Sequence, residues 1–168
     1  MKKKILIIQG SSLKKINIKT DTSFFLGLEA QRRSYQIYYY EPKDLSFING
    51  KVTALCSKVK FVDNPKQPIK VINKTVLNLL QAKLILIRSE PPFNQQYINT
   101  TFILEYISKK VRIINHPKAL REVSEKLFSL RLSKYMPQTL LSENLIDIKS
   151  FLIRNKKIVM KPVDSYSG

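Results

Sequence analysis

The run Lys4-Ile5-Leu6-Ile7-Ile8-Gln9-Gly10-Ser11-Ser12 decides the fold. Its apolar part is continuous rather than alternating, so a strand built from it has both faces covered, as at the centre of a parallel sheet. Gly10 and the two serines end it in a loop at the carboxyl end. Downstream, Thr20 or Asp21 can cap a helix running to about Arg33, with Phe24, Phe25 and Leu28 on one face. Gln36 to Glu41 is the next strand. Strand, helix and strand joined over this length imply a right-handed crossover and parallel pairing. Leu84 to Ile87 and Arg112 to Asn115 supply two more strands around a helix expected from Gln95 to Lys109, apolar enough all round to be well buried. The fold class is α/β: a mostly parallel, Rossmann-like sheet flanked by helices.

Other segments interrupt or extend this pattern. Asn49-Gly50 between two strand-like runs predicts a tight antiparallel hairpin. Residues 63–68 read as loop, and Val76 to Leu80 as one or two turns of helix. Pro117 suits a first helical position, and Leu120, Val123, Leu127 and Leu130 give an apolar stripe at helical spacing with Lys126 off it. Gln138 to Leu141 reads as a short strand, and Asn144 with Asp147 as a capping signal for a helix through Leu145, Ile148 and Leu152. Lys157 to Lys161 reads as a closing strand, held extended by Pro162, which delivers a lysine to the loop Asp164-Ser165-Tyr166-Ser167-Gly168. Small residues of this kind let backbone amides approach a phosphate. Such a loop needs a returning strand, so the chain reads as the front part of a longer protein, with one domain over 1–122 and the beginning of another over 123–168.

The 30 Lys and Arg against 12 Asp and Glu give a formal charge of +18. That balance raises a nucleic-acid-binding module as the alternative reading. The lysines are scattered, however, with short runs only at Lys2 to Lys4, Lys14-Lys15, Arg32-Arg33, Lys109-Lys110 and Lys156-Lys157. Tyr38, Tyr39 and Tyr40 fall in a strand that reads as buried, where bases could not stack. The single Cys56 forms no internal disulfide and reads as a small strand residue. No stretch has the length of a membrane span, and Ile5 to Ile8 is too short for a signal peptide. A cytoplasmic protein with no membrane partner is the expectation.

Four places lie at or beyond strand ends, where open parallel sheets bind ligands: Ser11 to Asp21, Arg88 to Asn94, Glu125-Lys126 and Lys161 to Gly168. Arg88 leaves a buried strand beside a proline-stiffened loop, which suits a fixed fork for a carboxylate, or alternatively an ion pair with Glu90 or another acid. Lys126 and Lys161 are either phosphate-neutralising cations or solvated surface lysines. His116, before a helix-starting proline, reads as structural.

Taken together, Ile16-Asn17-Ile18-Lys19 with Asp21, then Leu28 to Arg33, then Arg88 with Pro91-Pro92-Phe93, then Leu120-Arg121 with Glu125 to Phe128, then Lys161-Pro162 with Asp164 and Gly168 resemble the prokaryotic glutathione synthetase family over the whole chain. The resemblance implies a preATP-grasp domain for peptide substrate over 1–122 and the start of an ATP-grasp domain from 123. It implies ATP binding by Lys126, Lys161, Asp164, Ser165, Tyr166, Ser167 and Gly168, and substrate contacts from Asn17, Ile18, Lys19, Arg88, Pro91, Pro92 and Phe93. The implied reaction uses ATP and Mg²⁺ to phosphorylate the carboxylate of γ-glutamylcysteine, after which the amine of glycine displaces phosphate to form glutathione. A homo-oligomer is implied for the full-length protein. The chain departs from the family where Arg88-Ser89-Glu90-Pro91-Pro92-Phe93-Asn94 replaces the usual Arg-Lys-Asp-Pro-Pro-Phe-Asp, and where Ser165 and Ser167 stand for glycines. Serine is sterically costly wherever the loop needs positive φ. In the family the metal carboxylates and glycine site lie beyond Gly168, so the 168 residues alone are expected to lack ligase activity.

Overall fold

The computed structural model describes residues 4–64, 66–89, 93–124 and 126–163. The chain divides into two compact units, Met1–Glu122 and Val123–Gly168.

In the first unit the elements run β1 (Lys4–Gly10), α1 (Thr22–Arg32), β2 (Tyr35–Tyr40), β3 (Leu45–Ile48), β4 (Lys51–Phe61), β5 (Ile69–Asn78), β6 (Leu84–Arg88), α2 (Gln95–Glu105), β7 (Arg112–Ile114) and α3 (Pro117–Glu122). They build one sheet of order β3-β4-β2-β1-β6-β7, with β5 paired to β4. β1 pairs in parallel with β2 and β6, and β6 with β7. These are the four strands expected from the sequence. β4 pairs antiparallel with β2, β3 and β5, forming a wing on that sheet. The β3–β4 hairpin turns at Asn49 (φ 47°) and Gly50 (φ 77°), the positive-φ pair that a two-residue type I′ turn requires.

Two-sided burial of β1 is the geometric consequence of its continuous apolar run. Ile7 and Ile8 are adjacent yet both fully buried. Ile7 joins Ile85, Ile87, Leu104 and Ile107 under α2, whereas Leu6 and Ile8 join Phe24, Ile37 and Phe61 under α1. Helices therefore cover both faces of the parallel part. The Gln31 amide fastens α1 by donating to the Phe61 carbonyl at 2.9 Å and accepting from the Phe61 N–H at 2.6 Å. On the other face, the Arg121 guanidinium lies 3.9 Å from the Phe102 ring centroid, donates to Thr101 Oγ1 at 3.1 Å and pairs with Glu105, tying α3 to α2. The hydrogen bond from Arg121 holds the Glu105 carboxyl below the usual carboxylate range.

Several local expectations are corrected. Phe24 is buried but Phe25 is 51% exposed, because neighbours on a helix point about 100° apart and only one meets the sheet. Val76 to Asn78 continue β5 rather than forming helix, since the ladder to β4 holds them extended, and a 3-10 turn follows only at Leu79–Gln81. α2 stops at Glu105, and Phe102 and Tyr106 remain exposed, the Tyr106 ring meeting Phe47 of β3 edge-on at 5.1 Å between centroids. α3 ends at Glu122 instead of carrying its stripe through Leu130. Ser124 starts a new turn there, its carbonyl accepting from the Phe128 N–H at 2.9 Å and its Oγ from the Leu127 N–H at 3.5 Å, so the backbone has a competing partner.

The second unit, taken by itself, holds a 3-10 stretch Phe128–Tyr135 broken at Leu132, and α4 (Leu145–Asn155). Asn144 caps α4 by accepting from the Ile146 N–H at 2.8 Å; Asp147 meets the Ser142 hydroxyl rather than closing a capping box. The expected strands at Gln138–Leu141 and Lys157–Lys161 are irregular, because no described segment pairs with either. None of the described residues of this unit is buried; Val159 is 81% and Met160 70% exposed.

Two outcomes follow from this packing. Gln9 is fully buried, on the face of Ile7, with neither Nε2 nor Oε1 hydrogen-bonded. Gln9→Leu is expected to raise stability by about 1–3 kcal/mol, the cost of an unsatisfied buried group, measured by urea unfolding; a destabilised variant would show that the amide has a partner in solution. Amide hydrogen exchange is expected to be fast across the described residues after Val123 and slow in β1, β2 and β6, and equal protection of both would contradict the burial pattern.

Candidate functional site

The carboxyl ends of β1 and β6 and the amino end of α1 enclose a cavity of about 270 Å³, lined by Ser11, Ser12, Ile16, Asn17, Thr20, Asp21, Thr22, Ser23, Tyr39 and Arg88. Each wall has a local cause. Gly10 sits in register with Arg88, so the parallel ladder sets the distance between the serine loop and the guanidinium. Arg88 Nη2 donates to Thr22 Oγ1, bridging from the sheet to the first turn of α1. Asp21 caps α1 through the Ser23 N–H at 2.7 Å. The Asn17 carbonyl accepts from the Asp21 N–H at 2.8 Å, and its side chain from the Lys19 N–H at 3.0 Å, which folds the approach to the helix into a compact turn.

Tyr39 closes the floor. Its hydroxyl donates to the Ser11 carbonyl at 2.6 Å. A Cβ on residue 10 would stand 2.0 Å from the Tyr39 hydroxyl oxygen, so only glycine fits beside the ring in this arrangement. Tyr39 and Tyr40 are 4% and 2% exposed and offer no face for stacking bases. Burial pushes the Cys56 thiol up to about 12, which leaves it inert as a nucleophile at neutral pH.

Of the residues expected to contact substrate, Asn17 and Arg88 line the cavity. Ile18 does not: it is partly buried against the core beneath α1, because its apolar side chain turns inward where Asn17 and Lys19 stay exposed. Lys19 is exposed and outside the lining. Phe93 also lies outside it, its ring centroid 5.3 Å from that of Tyr97. Pro91 and Pro92 fall outside the described residues, as do Asp164, Ser165, Tyr166, Ser167 and Gly168. Lys126 is half-buried in the second unit, its carbonyl accepting from Ser129 Oγ at 2.7 Å, and Lys161 is exposed. Among the described residues no group of three His, Cys, Asp or Glu could hold a metal ion. No helix there is long and apolar enough to cross a membrane. Thr22, Ser23 and Tyr39 are additional wall residues; the signals for them were Asp21 as cap, which places the next two residues at a helix start, and Gly10, which marks a close approach.

Comparison with known proteins gives two family matches. The model for the prokaryotic glutathione synthetase N-terminal domain matches residues 4–121, and that for the prokaryotic glutathione synthetase ATP-grasp domain matches residues 125–168. A glutathione synthetase of Escherichia coli (strain K12) is 38% identical over 154 residues, covering 91% of this chain and 49% of that protein. The glutathione synthetase of Buchnera aphidicola subsp. Schizaphis graminum is 38% identical over 158 residues, covering 94% and 49%. That of Salmonella typhimurium is 36% identical over 154 residues. The chain spans about half the length of the curated relatives it matches.

Gly10→Ala is expected to displace the Tyr39 hydroxyl and destabilise the protein by about 1–3 kcal/mol, the range for overpacking. Tyr39→Phe, which removes the nearest clashing atom, is expected to make the double variant less destabilised than the sum of the singles. Strict additivity in thermal unfolding would show that the two residues do not meet.

Proposed function

The chain belongs to the prokaryotic glutathione synthetase family, and from that premise we propose that it carries the γ-glutamylcysteine-binding part of an ATP-dependent ligase that joins this dipeptide to glycine. One observation carries the reading. The cavity sets one guanidinium, Arg88, and one carboxylate, Asp21, among the hydroxyls of Ser11, Ser12, Thr20, Thr22 and Ser23. The free end of a γ-glutamyl group bears an α-carboxylate and an α-ammonium, and a paired cation and anion with surrounding hydroxyls match that zwitterion in charge and in hydrogen-bonding capacity. Arg88 holds the carboxylate by a two-pronged fork that lysine could not replace. Asn17 adds an amide beside it.

In this reading residues 1–122 are the preATP-grasp domain for peptide and 123–168 open the ATP-grasp domain. Lys126 and Lys161, with Asp164 to Gly168, face the ATP phosphates, where two ammonium groups would neutralise oxygens that no other described residue is assigned to. ATP with Mg²⁺ supplies the phosphoryl group that activates the peptide carboxylate. The described residues hold no group of three His, Cys, Asp or Glu for the metal. Cytoplasmic placement and homo-oligomeric assembly of the full-length enzyme complete the proposal, with light scattering as the check on assembly.

Titration of γ-glutamylcysteine into the 168-residue protein by calorimetry tests it. Arg88→Ala is expected to weaken binding by about tenfold or more, since a charge-assisted hydrogen bond contributes about 1.5–3 kcal/mol and 1.4 kcal/mol is tenfold. Arg88→Lys should recover only part of the loss. Unchanged affinity in Arg88→Ala, or no binding to the unmodified protein, would sink the assignment.

A further inference from the structure

A second concavity, of about 350 Å³, runs beside β7 and is lined by Ser108, Lys109, Lys110, Val111, Arg112, Ile113 and His116. β7 is the last strand of the sheet, separated from β1 by β6, so this hollow is a different place from the cavity beside Arg88. No acidic residue lines it. Lys109, Lys110 and Arg112 are all exposed, and none makes an ion pair or side-chain hydrogen bond among the described residues. The carboxylate of Glu105 is committed to Arg121, with the charges of Lys118 and His116 also bearing on it.

Ordinary surface lysines are mobile and solvated, but the backbone under these is pinned. Ile107, Val111 and Ile113 are buried in the core at 1%, 6% and 7% exposure. The turn between them is closed by N–H donation from Ser108 to the Glu105 carbonyl at 3.0 Å, from Lys110 to the Ile107 carbonyl at 2.9 Å and from Val111 to the same carbonyl at 3.1 Å. Lys109 and Lys110 follow the carboxyl end of α2, whose dipole attracts cations, yet that end carries only about half a negative charge. Three full positive charges therefore remain largely uncompensated around one hollow.

We propose that this hollow binds a small, multiply charged phosphate anion. Arg112 offers a planar fork for two phosphate oxygens, and the two lysines add point charges on a rigid turn. The requirement is several negative charges within one compact group, which a monovalent anion does not meet.

Inorganic tripolyphosphate is the probe, titrated into the isotopically labelled 168-residue protein and followed by amide shifts and by calorimetry at near-physiological salt. Shift changes are expected to gather over residues 108–116. The variant Lys109→Ala/Lys110→Ala/Arg112→Ala is expected to lose about tenfold or more in affinity, and Arg112→Gln alone about threefold or more. A control with the same loss of charge, Lys51→Ala/Lys70→Ala/Lys74→Ala, should stay within about threefold of the parent. Equal losses in the two triple variants would reduce the site to overall charge and overturn the proposal. So would shifts confined to Ser11–Ser23 and Arg88, or tighter binding of a short single-stranded DNA than of tripolyphosphate through the same residues. Arg112→Gln keeps the test valid should the triple variant fold poorly.

Discussion

Burial of β1 on both faces is the constraint from which the first unit follows. Leu6, Ile7 and Ile8 are each at most 2% exposed, and each such side chain contributes roughly 1.5–3 kcal/mol when removed from water. No single covering layer can do this, because successive strand residues point to opposite sides. The sheet must carry α1 on one face and α2 with α3 on the other, and β2 and β6 must flank β1 so that its polar backbone is paired. Gln31 and Arg121 then lock the two layers by polar contacts at their far ends.

The same constraint creates the cavity. A central parallel strand releases its chain at one edge of the sheet, and the neighbouring parallel strands release theirs at the same edge. Gly10 and Arg88 meet there because they are register partners, and Tyr39 can reach the Ser11 carbonyl only because residue 10 lacks a side chain. The polar groups of Ser11 to Ser23 come from the crossover into α1, which must pass over that edge. The polar residues of the cavity thus sit on a loop whose two ends are fixed by the most buried strand and by a capped helix, which would limit the entropy lost if a ligand ordered them.

The second unit shows what happens without such a constraint. Its sequence has the apolar residues of a core, among them Leu145, Ile146, Ile153, Val159 and Met160, yet all are well exposed. Helix α4 forms because its cap and spacing are local properties, satisfied by Asn144 alone. Among its described residues no strand forms, because a strand's hydrogen bonds must come from another segment.

By itself the sequence determined whatever depends on neighbours along the chain. The two-sided run at Lys4 to Gln9, the Asn49-Gly50 turn, the Asp21 and Asn144 caps and the position of Arg88 at a strand end could all be read there, because each rests on local spacing or on one residue's conformational preference. The family motifs were equally legible. Tertiary structure decided the rest. Val76 to Asn78 became strand because β4 lay alongside, and Phe25 faced solvent because α1 meets the sheet along a single stripe. Ile18 packs on the core instead of lining the cavity, whereas Thr22, Ser23 and Tyr39 became its walls. Those outcomes turn on which residues distant in sequence meet across the sheet edge, and strand register, packing distance and side-chain competition for one volume are quantities that no local pattern contains.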